Sequence, residues 1–125
     1  MGKTIKLSND TYLVNELFRT AETRVGTWTD GKPIYRKVIT FPITSNQYDG
    51  GKEHGLTHLD KFWINENASF IINSNSQESL PVNWYYNDYD WCRTWVNDYQ
   101  IRLKTGSSIS GRTAYVVMEY TKTTD

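Results

Sequence analysis

The chain has 125 residues, with 14 Lys+Arg against 14 Asp+Glu, a formal net charge of zero. That length is one domain's worth of sequence, and a neutral chain lacks the basic excess that general phosphate-backbone binding needs. No apolar run approaches ~18 residues, which excludes a helical membrane span. Aromatics make up 14%, with five Trp and nine Tyr, and Thr, Ser and Asn are abundant. Disordered chains are poor in such rings, and the mixture of β-branched, aromatic and small polar residues reads as strands and turns.

Residues 1–20 read as an N-terminal leader or attachment arm, and 21–125 as a single domain. Lys3 and Lys6 are followed by no apolar stretch of signal-peptide kind, so no secretory signal is expected. The single cysteine, Cys92, cannot form an intrachain disulfide, so a reducing folding compartment is permitted.

From Thr23 the pattern is β. Thr23–Thr29 and Ile34–Thr44 flank Asp30-Gly31-Lys32-Pro33, a hairpin signal because glycine accepts the positive φ that the turn needs. Tyr35, Ile39, Phe41 and Ile43 share one face of the second run, and Pro42 belongs at an edge or a bulge. Thr44–Glu53 reads as a loop with Asp49-Gly50-Gly51 at its tip. Gly55–Ile64 alternates as a strand, Asn65–Ala68 turns, and Ser69–Asn73 is a short buried strand. Leu80–Tyr86 reads as one strand turned by Asn87-Asp88, and Tyr99–Thr105 alternates again. Thr113–Thr121 places Ala114, Val116, Met118 and Tyr120 on one face, and Tyr115 and Val117 make the other face apolar too, so both sides are expected to be covered. About seven or eight strands at spacings of roughly 8–12 residues predict an all-β, antiparallel sandwich of jelly-roll-like kind.

Few residues invite catalysis. His54 and His58 on one strand stand roughly 13 Å apart, too far to share an ion. Asp88 and Asp90 read as a solvated turn, against roles as calcium ligands or an acid–base pair. Cys92 lacks a local nucleophile signature and reads as an inert, partly buried thiol. The densest feature is Trp84, Tyr85, Tyr86, Tyr89, Trp91 and Trp95, interleaved with Asn83, Asn87, Asp88 and Asp90. Rings stack on the C–H face of a sugar while amides and carboxylates bind its hydroxyls. Trp84, Tyr86, Asp88, Tyr89, Asp90, Trp91 and Trp95 are therefore the candidate carbohydrate contacts. The competing reading is that these rings fill a core or a subunit interface. With zero net charge, adhesion is expected to rest on stacking and neutral hydrogen bonds.

Two stretches carry a resemblance. Glu22-Thr23-Arg24-Val25-Gly26-Thr27-Trp28-Thr29-Asp30-Gly31-Lys32-Pro33-Ile34-Tyr35 is similar to an E-x-x-V-G-x-W-x-D-G-K-P-[IL]-Y signature of tailed-phage virion proteins, and Ala114–Asp125 (AYVVMEYTKTTD) resembles a terminus of the same group. His54-Gly55-Leu56 falls where the group has an H-G-[IL] stretch. The group comprises head-fibre and tail receptor-binding proteins, and the similar unit covers residues 19–125. The resemblance implies an antiparallel sandwich at the exposed end of a fibre, homotrimeric, located in the virion, adhesive or decorative, with no enzyme activity and no cofactor. Its implied partners are copies of itself, other virion proteins reached through residues 1–20, and a host-surface glycan. Neither nucleic acid binding nor membrane insertion is expected, on the neutral charge and the absence of a long apolar run. Trp28 and Tyr35 are then expected to pack across their hairpin. The alternatives are a capsid- or tail-decorating protein with no ligand of its own and, less favoured, a hydrolase of cell-wall or capsule polysaccharide.

Overall fold

The computed structural model describes residues 21–73, 75–106 and 109–124; the leader expected over residues 1–20 lies outside them. The described residues form ten strands: β1 (Thr23–Thr27), β2 (Pro33–Ile43), β3 (Asp49–Glu53), β4 (Leu59–Ile64), β5 (Phe70–Asn73), β6 (Ser79–Leu80), β7 (Trp84–Tyr85), β8 (Trp91–Val96), β9 (Gln100–Thr105) and β10 (Arg112–Lys122). One sheet has the order β1-β2-β10-β5-β6, with β4 also paired to β10; the other has the order β3-β9-β8-β7. Every pairing is antiparallel. The fold is an all-β sandwich, as the strand spacing predicts. It has ten strands among the described residues rather than the expected about seven or eight, because the Asp49–Glu53 segment is a strand and Leu80–Tyr86 divides into two.

The core lies between the sheets. Ala114, Val116, Met118 and Tyr120, alternating along β10, have no exposure, and they belong to one apolar cluster with Ile39, Phe41 and Ile43 of β2 and Ile101 and Leu103 of β9. Period-two alternation puts these side chains on one side of each strand. The other side of β10 is also covered: Val117 and Thr121 are fully buried and Glu119 nearly so. Part of that cover comes from the same sheet. Tyr115 stacks on Phe70 at 5.0 Å, Glu119 is bonded by Arg36, Trp63 and Asn65, and Thr121 by Asp60.

β4 and β5 run successively along the same edge of β10. Ile64 faces Met118, and Phe70 faces Tyr115. Between them the chain loops out. The Asn65 N–H donates to the Val117 carbonyl, and the Ser69 hydroxyl oxygen accepts the Val117 N–H, both at 2.8 Å. Buried Ser69 thus replaces a missing strand partner and leaves no orphaned backbone group.

The Asp30-Gly31 turn forms as expected. Gly31 has φ +88°, the Trp28 N–H donates to the Lys32 carbonyl, and the Gly31 N–H donates to the Trp28 carbonyl. That is a three-residue hairpin loop closed by a left-handed glycine. Pro42 is exposed and pairs on one side with Thr113. β1 accompanies β2 only as far as Arg36, so among the described residues the other side of Pro42 is an open edge, as suits a residue without an N–H.

Four local expectations are corrected. Asp49–Glu53 is not a loop but a strand on β9. Gly51 lies so close to the Ile101 carbonyl that a Cβ there would sit 1.9 Å from the oxygen; the Gly-Gly pair marks a close backbone approach, not a turn. The run Gly55–Ile64 is strand only from Leu59, because Gly55 and His58 both take positive φ, 71° and 59°. Leu80–Tyr86 is not one strand: Leu80 pairs with β5 in one sheet and Trp84 with β8 in the other. Trp28 and Tyr35 do not pack on each other. Trp28 packs at a tilt against Trp63, ring centroids 5.5 Å apart, and Tyr35 likewise against Tyr120 at 5.9 Å. Trp63 pairs with Glu119, the neighbour of Tyr120, so the two rings serve opposite faces of the sheet.

Candidate functional site

The β7–β8 hairpin sorts the aromatic cluster by register. Trp84 faces Cys92, and Tyr85 faces Trp91. Cys92 is in the core, so Trp84 points inward and packs there, while Tyr85 and Trp91 point outward. Trp84 is thereby removed from the candidate carbohydrate contacts. Its indole Nε1–H is buried with no hydrogen-bond partner.

Along β8 the outward positions are Trp91, Arg93 and Trp95, alternating with inward Cys92 and Thr94. Trp91 lies against Gly106, where a Cβ would meet its Nε1 at 2.2 Å, so only glycine leaves room for the indole there. The Arg93 guanidinium sits over the Trp95 ring at 5.4 Å. Across the ladder Arg93 faces Lys104, and Trp95 faces Arg102. Tyr85, Trp91, Arg93, Trp95, Arg102 and Lys104 therefore line one outer face.

The hairpin tip adds Tyr86, Asp88, Tyr89 and Asp90. Tyr85, Tyr86 and Tyr89 are 69%, 79% and 82% exposed. The Asn87 side-chain oxygen accepts the N–H groups of Tyr89 and Asp90 at 2.8 and 2.9 Å, which fixes the loop. Asp88 accepts the Tyr85 hydroxyl at 2.6 Å, and that bond pushes the Tyr85 phenol above its ordinary pKa. Asn83, another expected sugar partner, is used internally: its amide pairs with the Thr94 N–H at 2.7 Å and the Thr94 carbonyl at 3.2 Å.

The structure thus brings Tyr86, Asp88, Tyr89 and Asp90 together at the tip and Trp91 and Trp95 on the adjoining face. Tyr85, Arg93 and Lys104 belong to this ledge as well. Alternation along Trp91–Val96 is the sequence signal that links Trp91, Arg93 and Trp95.

The other titratable candidates have structural partners. His54 is fully buried; its Nδ1 accepts the Leu56 N–H at 3.1 Å, so Nε2 carries the proton donated to the Asn97 carbonyl at 3.0 Å. His58 is not on a strand with it but in the loop before β4. The Cys92 thiol donates to the Val82 carbonyl at 3.3 Å, and burial pushes its pKa up to about 11. Among the described residues no three His, Cys, Asp or Glu side chains are grouped to hold a metal ion. Two open hollows, of about 360 and 390 Å³, lie elsewhere, one beside Phe70 and Leu80 and one beside Leu56 and Phe62.

No protein-family profile matches this chain, and neither a curated protein nor a solved structure matches it significantly.

Proposed function

We propose that the chain is a bacteriophage virion protein of the head-fibre or tail-tip kind. In this reading it forms an oligomer, a homotrimer, and attaches to a host cell-surface carbohydrate through the β7–β8 ledge. The motifs over Glu22–Tyr35 and Ala114–Asp125 suggest the virion setting. The ledge supports the binding role. Its carrying observation is the exposure of Tyr85, Tyr86 and Tyr89 on a single hairpin whose backbone is held by Asn87. A folded domain buries most of its large rings, and a cluster left in water marks a contact surface. Rigid rings bind at low entropic cost, and the carboxylates of Asp88 and Asp90 offer acceptors to sugar hydroxyls.

A glycan array probed with the wild type and with Tyr86→Ala, Tyr89→Ala, Trp91→Ala and Trp95→Ala variants tests the reading. Binding to host-derived polysaccharide, reduced by these changes, is expected. Binding that survives all four, or an array with no signal, overturns it. Light scattering at micromolar concentration tests the trimer, and a strictly monomeric species counts against it.

A second reading is a decorating protein whose ledge meets another virion protein. Its support is the mixture of Tyr, Trp and Arg93 on one face, the residue types that anchor protein interfaces. Retention on purified particles by the wild type, lost in the ledge variants without any glycan signal, would favour it.

A further inference from the structure

We infer that the ledge selects acidic saccharides, polymers carrying carboxylate or phosphodiester groups, over neutral ones. This rests on the carbohydrate reading above and names the class of sugar.

The argument begins with Arg93 and Lys104. They stand directly opposite each other on β8 and β9, and both are exposed. Like charges at directly opposed positions weaken a sheet. Among the described residues neither makes an ion pair. Asp49, the β3 neighbour of Lys104, is instead bonded to Arg102 at 2.6 Å. The overall neutrality of the chain therefore hides a local positive pair.

That pair is framed by rings. Trp91 and Trp95 flank Arg93 two residues to either side, on the same face and so roughly 7 Å away along the strand. The Arg93 guanidinium is laid over Trp95, which orients a planar, bidentate donor at the surface. The arrangement offers the Trp91 ring to the C–H face of a sugar unit, with a cation pair beside it where an acidic substituent fits. A neutral glycan uses the apolar surface alone and leaves both charges unanswered.

The test measures binding of immobilised wild-type protein to three polymers of matched length: polygalacturonate, glucosylated poly(glycerol phosphate) and dextran. The expected result is at least ~10-fold tighter binding to one or both acidic polymers than to dextran at low salt, weakening as salt rises. Which acidic polymer is preferred separates the carboxylate source from the phosphodiester source. Arg93→Gln combined with Lys104→Gln is expected to lower the ratio of acidic-polymer affinity to dextran affinity by about tenfold. Both side chains are exposed, so the variant keeps its fold, checked by circular dichroism. Equal binding of dextran and the acidic polymers, or an unchanged double variant, overturns the inference. If Trp91→Ala still abolishes binding in that case, the carbohydrate reading stands without it. Binding of an oligothymidylate as tight as that of the acidic polymers also overturns it, because charge and stacking then select no sugar.

Discussion

Arg36 and Glu119 stand opposite each other across the β2–β10 ladder, and the guanidinium Nε and Nη2 both donate to the same carboxylate oxygen, Oε2. Trp63 Nε1 holds the other oxygen at 3.1 Å, and Asn65 Nδ2 reaches Oε2 at 3.2 Å. The pair lies on the face of β10 away from the sandwich core, yet both side chains are largely shielded. Removing one partner of a shielded pair strands the other charge and costs about 3 kcal/mol or more. Glu119→Ala is expected to lose that much in denaturant unfolding. Glu119→Leu with Arg36→Met removes both charges and is expected to recover most of the loss. A double variant no better than Glu119→Ala would show that the stranded charge is not the cause.

Tyr120 couples stability to alkaline pH. Its hydroxyl donates to Glu22 at 2.6 Å, and burial first, then that bond, push the phenol well above its ordinary range. The folded state favours the protonated phenol, so its contribution is whole below the unfolded pKa of about 10 and is lost as pH rises beyond it. The melting temperature is expected to fall between about pH 9 and pH 11.5, more steeply in the wild type than in Tyr120→Phe. Parallel slopes would remove Tyr120 from the account.

The two glycines of β3 differ in how they meet their surroundings. A Cβ on Gly51 meets the Ile101 carbonyl, whereas one on Gly50 meets the Tyr48 hydroxyl at 2.6 Å, the far end of a side chain rather than fixed backbone. Gly51→Ala is expected to destabilise by roughly 2 kcal/mol or more, and Gly50→Ala by distinctly less. Thermal melts of the two variants check the order, and the reverse order refutes it.

Cys92 reports opening of the core. With its pKa pushed up to about 11, roughly one thiol in ten thousand is ionised at neutral pH, and the buried sulfur donates to the Val82 carbonyl. The native protein is expected not to react with a thiol-specific chromogenic disulfide at neutral pH within minutes, and to titrate one thiol per chain once denatured. Rapid native reaction would mean that the β7–β8 side of the core opens readily.

Much of this fold is legible in the sequence where one local signal agrees with one tertiary role. Asp30-Gly31 marks a turn because Gly31 needs its positive φ, and alternation along Thr113–Thr121 marks the central strand because one side of it packs the core. Legibility fails where a residue serves a distant neighbour. Gly50-Gly51 looks like a turn, and only the approach of Ile101 makes it a strand. Leu80 to Tyr86 looks continuous, because nothing local shows that the chain changes sheets between Leu80 and Trp84. The ledge was half visible. Aromatic density locates the hairpin, but the phase that turns Trp84 inward and Tyr85 outward depends on which side of Cys92 meets the core.

The open edge of β2 has a bearing on how many copies of this chain can be crowded together. In an antiparallel strand alternate residues turn both backbone groups to the same side. The Thr40 carbonyl, on the side away from β10, is occupied by the Lys52 ammonium at 3.3 Å. Pro42, two residues on, turns the same way and has no N–H to give. An incoming strand therefore finds one acceptor taken and one donor missing along a short stretch of edge. Prolines and lysines on exposed edges are how β proteins resist growing into continuous sheets. Dense packing of these sandwiches can then proceed through side-chain surfaces without runaway strand recruitment.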